Sequence, residues 1–291
     1  MNTKIANSVV VFPTSGPLTQ GTIFTCAVAE DYPGSTTHGL VITARCDVSN
    51  DKVQTFNYLP IVSLNDWLHR DGRIVVSQRF MKETVGKMKS SLLEAGHSAS
   101  ILETETPQSI LKTLFPDGEG RTQKMHSRFE DLCARYELAL LGNSDNPPGR
   151  TCIQVATMAP KLRDSMVNEL VHQQLAGHYF LNQLEPNGDD DGYVVMLREI
   201  QTLPRTVAHA ISNALDGSRF SEMCAADPRL LGRLRVAPND LAMPLSVVRS
   251  PNIEHLMQAF SLLFSRIGIP DPEPSYVNAL WMRQPSVVET N

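Results

Sequence analysis

Between Gly21 and Asp66 the chain carries three short runs rich in β-branched and aromatic residues, separated by clusters of Gly, Pro, Asn and Asp. The runs are Thr22–Ala27, Leu40–Thr43 and Phe56–Ser63. Short runs bounded by turn formers are typical of strands in a compact antiparallel meander. We therefore predict that the three runs pair in one strongly bent antiparallel sheet.

The order of these parts is a Gly-headed first strand, a polar loop, an apolar second strand, and an Asn before a third strand that contains Pro60. This order resembles the small β-barrel of the PemK/MazF-type toxins, over less than a fifth of the chain. The resemblance implies an SH3-like antiparallel β-barrel within residues 1–77. It also implies a place in the toxin–antitoxin or antiphage machinery of a bacterium or phage.

The toxins of this family cleave RNA with an Arg just before the second strand and a Ser or Thr on the third. In this chain His38 stands before the second strand, and Ser63 ends the third run. Histidine titrates near neutrality and can act as an acid or base. The Arg that would clamp a phosphate with two hydrogen bonds is missing, however. The resemblance therefore allows a divergent endoribonuclease using His38 and Ser63, but we expect no appreciable cleavage of RNA.

A second candidate cluster, Arg45-Cys46-Asp47, follows the second apolar run. A thiol beside Arg45, with His38 across a turn, has the parts of a lowered-pKa thiolate and a base. If the strand continues through it, alternation instead turns Cys46 towards the core. Asp47 suits an Asx-type turn, and Arg45 and Asp47 are candidate binding residues. A cysteine-dependent enzyme using Cys46 is therefore the third functional hypothesis.

Neither a metal nor a cofactor is predicted. The chain has no CxxC, HExxH, GxxxxGK[ST] or GxGxxG pattern and no His pair at i, i+4. A net charge of −5 does not favour a nucleic-acid partner, because binding phosphates needs a local surplus of Lys and Arg. No apolar run approaches the roughly 20 residues that span a bilayer, so no membrane partner is expected. Five cysteines without paired spacing, and no secretory signal pattern, favour a cytoplasmic location.

From Phe80 the apolar spacing becomes helical, and Gly142–Arg150 combines turn formers with a Pro-Pro pair. We predict three parts: a small β-barrel (1–77), a helical segment with a linker (78–150), and an α+β part (151–291). Further predicted strands are Arg73–Ser77, Cys152–Ala156, a hairpin of His178–Asn182 with Gly192–Ile200, and Leu245–Arg249. Further predicted helices follow Phe80 and Pro160 or cover Pro107–Phe115 and Thr122–Leu141. Another predicted helix begins at Pro204 and carries Val207, Ile211 and Leu215.

The pattern near the C-terminus predicts a long amphipathic helix over Pro251–Ile267, with Ser250 as its N-cap. Its apolar stripe comprises Ile253, Leu256, Met257, Phe260, Leu263, Phe264 and Ile267. Such a stripe must be covered, either by this chain or by a partner. We expect it to lie in the core, with the tail residues Tyr276, Leu280 and Trp281 docked on the body. Phe260 and Phe264 are the candidate binding residues if a partner covers it.

Together these patterns predict an α+β protein whose N-terminal SH3-like barrel is followed by a helical insertion and an α+β part ending in the long helix. Because the catalytic pattern of the resembling toxins is incomplete, we predict a non-catalytic scaffold or protein-interaction subunit. Its partner is expected to be another protein or a second copy of the chain. The ribonuclease and the cysteine-dependent enzyme are the alternatives.

Overall fold

The computed structural model describes residues 8–50, 52–189 and 191–264. Within them the fold is mixed α+β, and an antiparallel sheet curls into a half-barrel. The strand order is β1-β10-β2-β3-β4-β6-β5, with β7 also pairing with β4. The strands of this sheet are β1 (Val10–Val11), β2 (Thr22–Phe24), β3 (His38–Val41), β4 (Thr55–Ser63), β5 (His178–Leu181), β6 (Tyr193–Met196), β7 (Gln201–Pro204) and β10 (Pro244–Val248). A separate pair joins β8 (Leu215–Asp216) to β9 (Leu241–Ala242).

The predicted meander is confirmed, because β2, β3 and β4 pair antiparallel in one sheet. In their register Leu40 lies opposite both Ile23 and Leu59. The other edge of β4 pairs with β7 along Thr55–Tyr58 and with β6 along Ile61–Ser63. Pro60, which has no N–H to donate, falls between these two stretches, where neither strand pairs with β4.

The helices pack against the faces of the sheet and against one another. They are α1 (Arg45–Ser49), α2 (Leu64–Trp67), α3 (Arg73–Glu94), α4 (Pro107–Leu114), α5 (Arg121–Gly142), α6 (Thr151–Met158), α7 (Pro160–Val171), α8 (Arg205–Ser212), α9 (Gly217–Ala226) and α10 (Asn252–Phe264). A π-helical turn at Leu68–Gly72, here called the π-turn, joins α2 to α3 without a break in the helical backbone. Short 3₁₀ turns lie at Ala99–Glu103 and Pro228–Leu230.

Alternate residues of the sheet strands bury their side chains on opposite faces. One apolar cluster, here called the inner cluster, joins side chains of both edge strands to α10, so it lies inside the curl. Its members include Val10, Ile23, Leu40, Ile61, Tyr179, Leu181, Ile253 and Leu256. The opposite face is covered by α8 and α9 near β7, and by α2, α3, α6 and α7 near β6. A fourth cluster, around Met88, Phe115 and Phe129, holds α3, α4 and α5 together.

Polar groups bring the two edges of the curled sheet together. Gln183, just after β5, donates a hydrogen bond to Ser8, just before β1. The hydroxyl of Ser246 on β10 donates to the Leu184 carbonyl at 2.5 Å. Both Ser8 and Ser246 are buried. These bonds satisfy polar groups where the curl would otherwise leave them unpaired.

Two predicted strands are wrong. Arg73–Ser77 begins α3, and Cys152–Ala156 lies in α6. The β-branched residues there favour strands, but their burial has helical spacing, with Val76 and Phe80 buried on α3 and Thr151 and Val155 on α6. Packing therefore overrides the local preference.

The other predicted elements are found with small shifts. The β5–β6 hairpin, the strand at β10, and the helices near the predicted positions of α3, α4, α5, α7, α8 and α10 are all present. Leu215, predicted on the helix after Pro204, lies instead in β8. Ile267 and the tail residues Tyr276, Leu280 and Trp281 lie outside the described residues.

The sheet draws strands from both ends of the chain. Strands from the predicted barrel segment, residues 1–77, pair with β6, β7 and β10, and β6 in turn pairs with β5; these four strands come from the predicted C-terminal part. The predicted linker Gly142–Arg150 lies between α5 and α6. The division into three parts stays a prediction. Of the described helices, none combines the length and the apolar character needed to span a membrane.

Candidate functional site

His38, the first predicted catalytic residue, begins β3 and lies opposite Ile61 of β4. Its half-buried ring meets the ring of Tyr193 edge-on, with 6.2 Å between centroids, and within the described ranges its Nδ1 has no hydrogen-bond partner. Burial lowers the pKa of His38 to about 4. The imidazole is therefore neutral at pH 7, and burial is the cause of the shift among the described residues.

Ser63, the second predicted catalytic residue, ends β4 and caps α2. Its Oγ accepts a hydrogen bond from the Asp66 N–H at 3.0 Å and donates one to Asp66 Oδ2 at 2.8 Å. Because Ile61 faces His38, strand alternation puts Ser63 on the same face of the sheet as His38. The structure thus brings the two onto one face, but the serine hydroxyl already serves as an N-cap.

Cys46, Arg45 and Asp47 lie on the short helix α1, not on a continued strand. All three side chains are exposed, so the alternation that would bury Cys46 does not occur. The Cys46 thiol lies 3.7 Å from Asp47 Oδ1. Within the described part of the chain, no histidine is hydrogen-bonded to this thiol. The structure does not assemble the thiolate and base that a cysteine enzyme needs.

A polar cluster that the sequence did not reveal is centred on Asp71 in the π-turn. Tyr32 donates its hydroxyl to Asp71 Oδ2 at 2.7 Å, and His178 Nε2 lies 3.9 Å from the same oxygen. The guanidinium of Arg70 lies 5.3 Å from the centre of the Tyr32 ring and forms an ion pair with Asp31 at 2.6 Å. We call Tyr32, Arg70, Asp71 and His178 the Asp71 cluster.

The π-turn is what presents Asp71 to this cluster. The N–H of Arg73 donates to the Leu68 carbonyl, five residues back, which is the π-helical pattern. The extra residue shifts the helical register between Trp67 and Arg73. Trp67 is fully buried and meets the His178 ring edge-on, at 5.2 Å between centroids. Single π-turns of this kind occur frequently at functional sites.

Burial sets the protonation of the cluster. It lowers the pKa of His178, an effect that the nearby Asp71 opposes. It raises the pKa of Tyr32, and Asp71 raises it further. Tyr32 therefore remains a hydrogen-bond donor and His178 is largely neutral at pH 7. A histidine beside a carboxylate can relay a proton, but within the described residues no hydroxyl or thiol is hydrogen-bonded to His178.

Glu199 lies next to the loop that carries Tyr32. Its Oε1 accepts a hydrogen bond from the Glu30 N–H at 2.7 Å, while its Oε2 is buried without a partner. Burial is the main cause that raises the pKa of the Glu199 carboxyl. Together with the Asp71 cluster, Glu199 ties the loop after β2 to the sheet and to the π-turn. These contacts join the loop after β2, the π-turn and the sheet.

Comparisons with known proteins do not assign the chain to a family. No protein-family model matches the chain, and no curated protein or solved structure shows a significant match. The resemblance to the small toxin barrel therefore stays a prediction. Among the described residues, no group of three or more His, Cys, Asp or Glu side chains is placed to hold a metal ion.

Phe260 and Phe264, the predicted binding residues, lie on the last two turns of α10. Phe260 is partly buried against the inner cluster, and its ring centroid is 5.0 Å from that of Phe264. Phe264 is 51% exposed, and Leu262 beside it is 56% exposed. The predicted stripe is therefore buried at Ile253 and Leu256 but opens to solvent towards the end of the helix.

Proposed function

We propose that the protein is a non-catalytic interaction subunit and that the end of α10 is the surface that binds a partner protein. The observation that carries this proposal is the exposure of Leu262 and Phe264 beside Phe260. In the first turns of α10 the exposed residues are polar, with Glu254, His255 and Gln258 among them. Large apolar side chains exposed side by side normally mark a surface that a partner covers.

The states of the three predicted catalytic residues support a non-catalytic role. The Ser63 hydroxyl is committed to capping α2, and among the described residues the Cys46 thiol contacts the exposed Asp47 carboxylate and no histidine. His38 is neutral and lacks the neighbouring Arg that would hold a phosphate. The cluster that does contain a histidine and a carboxylate joins structural elements instead of presenting a nucleophile.

The cellular setting is a further part of the proposal. A toxin–antitoxin or antiphage system in the cytoplasm of a bacterium, and an SH3-like form for the curled barrel, are supported by the resemblance at Gly21–Asp66 and by the unpaired cysteines. The partner is another protein, with a second copy of the chain as the alternative occupant.

The test changes the exposed apolar residues in the full-length chain. The double variant Leu262→Ser with Phe264→Ser is compared with a control double variant, Leu93→Ser with Leu231→Ser. Leu93 and Leu231 are 63% and 68% exposed and do not lie on α10. Exposed substitutions alter stability by only about 0.5 kcal/mol each, so both double variants should melt close to the unchanged protein. We expect the α10 variant alone to lose the protein captured in a pull-down from the native host and any dimer seen by light scattering.

A different result would contradict the interaction surface. If the α10 variant melts several degrees lower while its captured proteins and its mass in solution are unchanged, the chain itself covers Leu262 and Phe264. Unchanged melting together with unchanged association would show that the surface binds nothing.

A divergent endoribonuclease is the second candidate, because His38 and Ser63 share a face of the sheet. We expect purified protein to leave single-stranded RNA intact, since no arginine stands at the start of β3 to clamp the phosphate. Incubation with labelled RNA, beside the His38→Ala variant, tests this. Cleavage by the unchanged protein that disappears in His38→Ala would replace the interaction proposal with the nuclease.

A further inference from the structure

A cavity of about 290 Å³ lies between the π-turn, the start of α3, α6 and α7. This volume corresponds to roughly ten water molecules at about 30 Å³ each. Most of its walls are apolar, formed by Val76, Ile153, Val155, Ala156 and Met166. Ile153 is 64% exposed, so the cavity opens to solvent beside it. Apolar cavities with a few fixed polar groups are the usual form of small-molecule sites.

Arg73 lines this cavity and is only 4% exposed. Its Nε donates to the His69 carbonyl at 3.2 Å, and its Nη1 donates to the carbonyls of Gly142 and, at 3.0 Å, Ser144. Among the described residues, Nη2 has no hydrogen-bond partner and the guanidinium contacts no carboxylate. A buried cation normally has an anion beside it, because removing it from water is costly.

Two other arginines in the same helical layer, Arg79 and Arg163, differ in this respect. Arg79, two turns further along α3, forms an ion pair with Glu169 at 2.6 Å. Arg163, which also lines the cavity, forms an ion pair with Asp164 at 2.7 Å. Among the residues that line the cavity, Arg73 is thus an arginine without a direct ion pair, although Asp145 and Asp71 act on its charge from farther away. Arginine stays protonated in proteins, so this charge persists at every physiological pH.

We propose that the cavity binds a small monocarboxylate with an apolar body, whose carboxylate accepts a hydrogen bond from Nη2 of Arg73. The apolar walls match the hydrocarbon part of such a ligand, and one guanidinium without a direct ion pair matches one negative charge. A phosphate monoester carries more charge, and its second charge would enter an apolar cavity without a partner. The inference is independent of the surface on α10.

The probe for a binding test is octanoate, titrated into the full-length protein by calorimetry. The controls are octanol, which has the same chain without charge, and octyl phosphate. Hydrogen bonds to charged groups contribute enough that octanoate should bind about tenfold or more tightly than octanol. We expect octyl phosphate to bind more weakly than octanoate as well.

Two variants locate the binding. Ile153→Trp places a large ring at the opening and should weaken octanoate binding at least tenfold, while it leaves Arg73 and its three carbonyl partners in place. Val171→Trp is the matched control, because Val171 is also exposed, at 44%, and lies on α7 outside the cavity. This variant should bind octanoate as the unchanged protein does. Arg73→Met should also lose binding, with circular dichroism checking that it folds.

Cys152 provides a second measurement, because its side chain lines the cavity. Octanoate should slow maleimide labelling of Cys152, measured by peptide mass mapping, and should leave labelling of the exposed Cys46 unchanged. The proposal is overturned if octanoate gives no binding heat up to millimolar concentration, if octanol binds equally well, or if Ile153→Trp binds as the unchanged protein does.

Discussion

The state of His38 follows from burial without a charged neighbour. Its Nδ1 has no partner, and burial lowers its pKa to about 4, against 6.5 for an exposed histidine. The unfolded chain therefore binds a proton between pH 6.5 and 4 that the folded chain does not bind. The contribution of His38 to the free energy of unfolding is fully present above pH 6.5. It is lost as the pH falls towards 4.

We expect the His38→Leu variant to show a weaker acid dependence of stability than the unchanged protein. Each pKa unit corresponds to about 1.4 kcal/mol, so the unchanged protein should lose up to about 3 kcal/mol more between pH 7 and 4. Urea denaturation at several pH values measures this difference. The exposed His172→Gln variant is the control and should follow the unchanged protein. Equal acid dependence in all three proteins would show that His38 is not buried in solution.

At this scale, the sequence revealed some roles and hid others. Ser63-Leu64-Asn65-Asp66 before an apolar stretch is a capping signature, and it would have identified Ser63 as an N-cap without any structure. The Asp71 cluster has no comparable local signal. Tyr32, Asp71 and His178 come from distant parts of the chain, and only the packing of the loop, the π-turn and β5 brings them together.

The π-turn is the element at which the structure differs most from what the sequence pattern predicts. Its residues join α2 to α3 in one continuous helix, so the β-branched run that follows Arg73 is helical. Periodicity predicts where long amphipathic helices lie, as it did for α5 and α10, but a single inserted residue leaves no periodic trace. The cavity and the Asp71 cluster both depend on that insertion, so neither could be predicted.

Two helical glycines allow the packing of the π-turn to be tested. A Cβ added at Gly72 would lie 3.0 Å from Cζ3 and 3.2 Å from Cε3 of the fully buried Trp67. A Cβ added at Gly86, in the middle of α3, meets nothing within 4 Å. Alanine is favoured over glycine in a helix by about 0.5–1 kcal/mol.

We therefore expect Gly86→Ala to stabilise the protein by about 0.5–1 kcal/mol. Gly72→Ala should instead destabilise it by about 1–3 kcal/mol, because a tightly packed ring has no room to move. Urea denaturation of both variants measures the two changes in the free energy of unfolding. A stabilising Gly72→Ala would mean that Trp67 is not held where the structure has it.

The edge strand β5 shows a second feature that only the structure could reveal. The side-chain amide of Gln173 donates to the Phe180 carbonyl at 2.8 Å and accepts from the Phe180 N–H at 2.9 Å. Gln173 has a positive φ of 60°, which few residues other than glycine adopt. Its amide pairs with the backbone of β5 as another strand would. An unprotected edge strand can pair with a strand of another chain. The two hydrogen bonds from Gln173 occupy the backbone groups of Phe180 on the edge strand β5.

Across the whole molecule, strand order was the part of the fold that the sequence could not supply. The β2–β3–β4 meander and the β5–β6 hairpin connect neighbours, and local patterns predicted both. In contrast, β10 pairs with both β1 and β2, and β6 and β7 both pair with the same edge of β4. These contacts join residues far apart in sequence. The burial of apolar side chains in the inner cluster, and in the cluster that joins β7 to α8 and β4, selects them.

This interleaving bears on the predicted division at Gly142–Arg150. The fragments on either side of that loop would share one sheet, because β2 pairs with β10 and β4 pairs with β6 and β7. The inner cluster likewise draws side chains from both fragments. Neither fragment could bury its apolar face without the other, so the two should behave as one cooperative unit.

A protease site inserted between Pro147 and Pro148 tests this directly. After cleavage, we expect the two fragments to elute together in native buffer and to separate only in denaturant, because the shared sheet holds them. The control carries the same site at Gly118, between α4 and α5, where both neighbouring helices belong to one predicted part. If the loop-cleaved fragments elute separately and each keeps its circular dichroism signal, the parts before and after the linker fold independently. That result would contradict the paired register of β4 with β6 and β7.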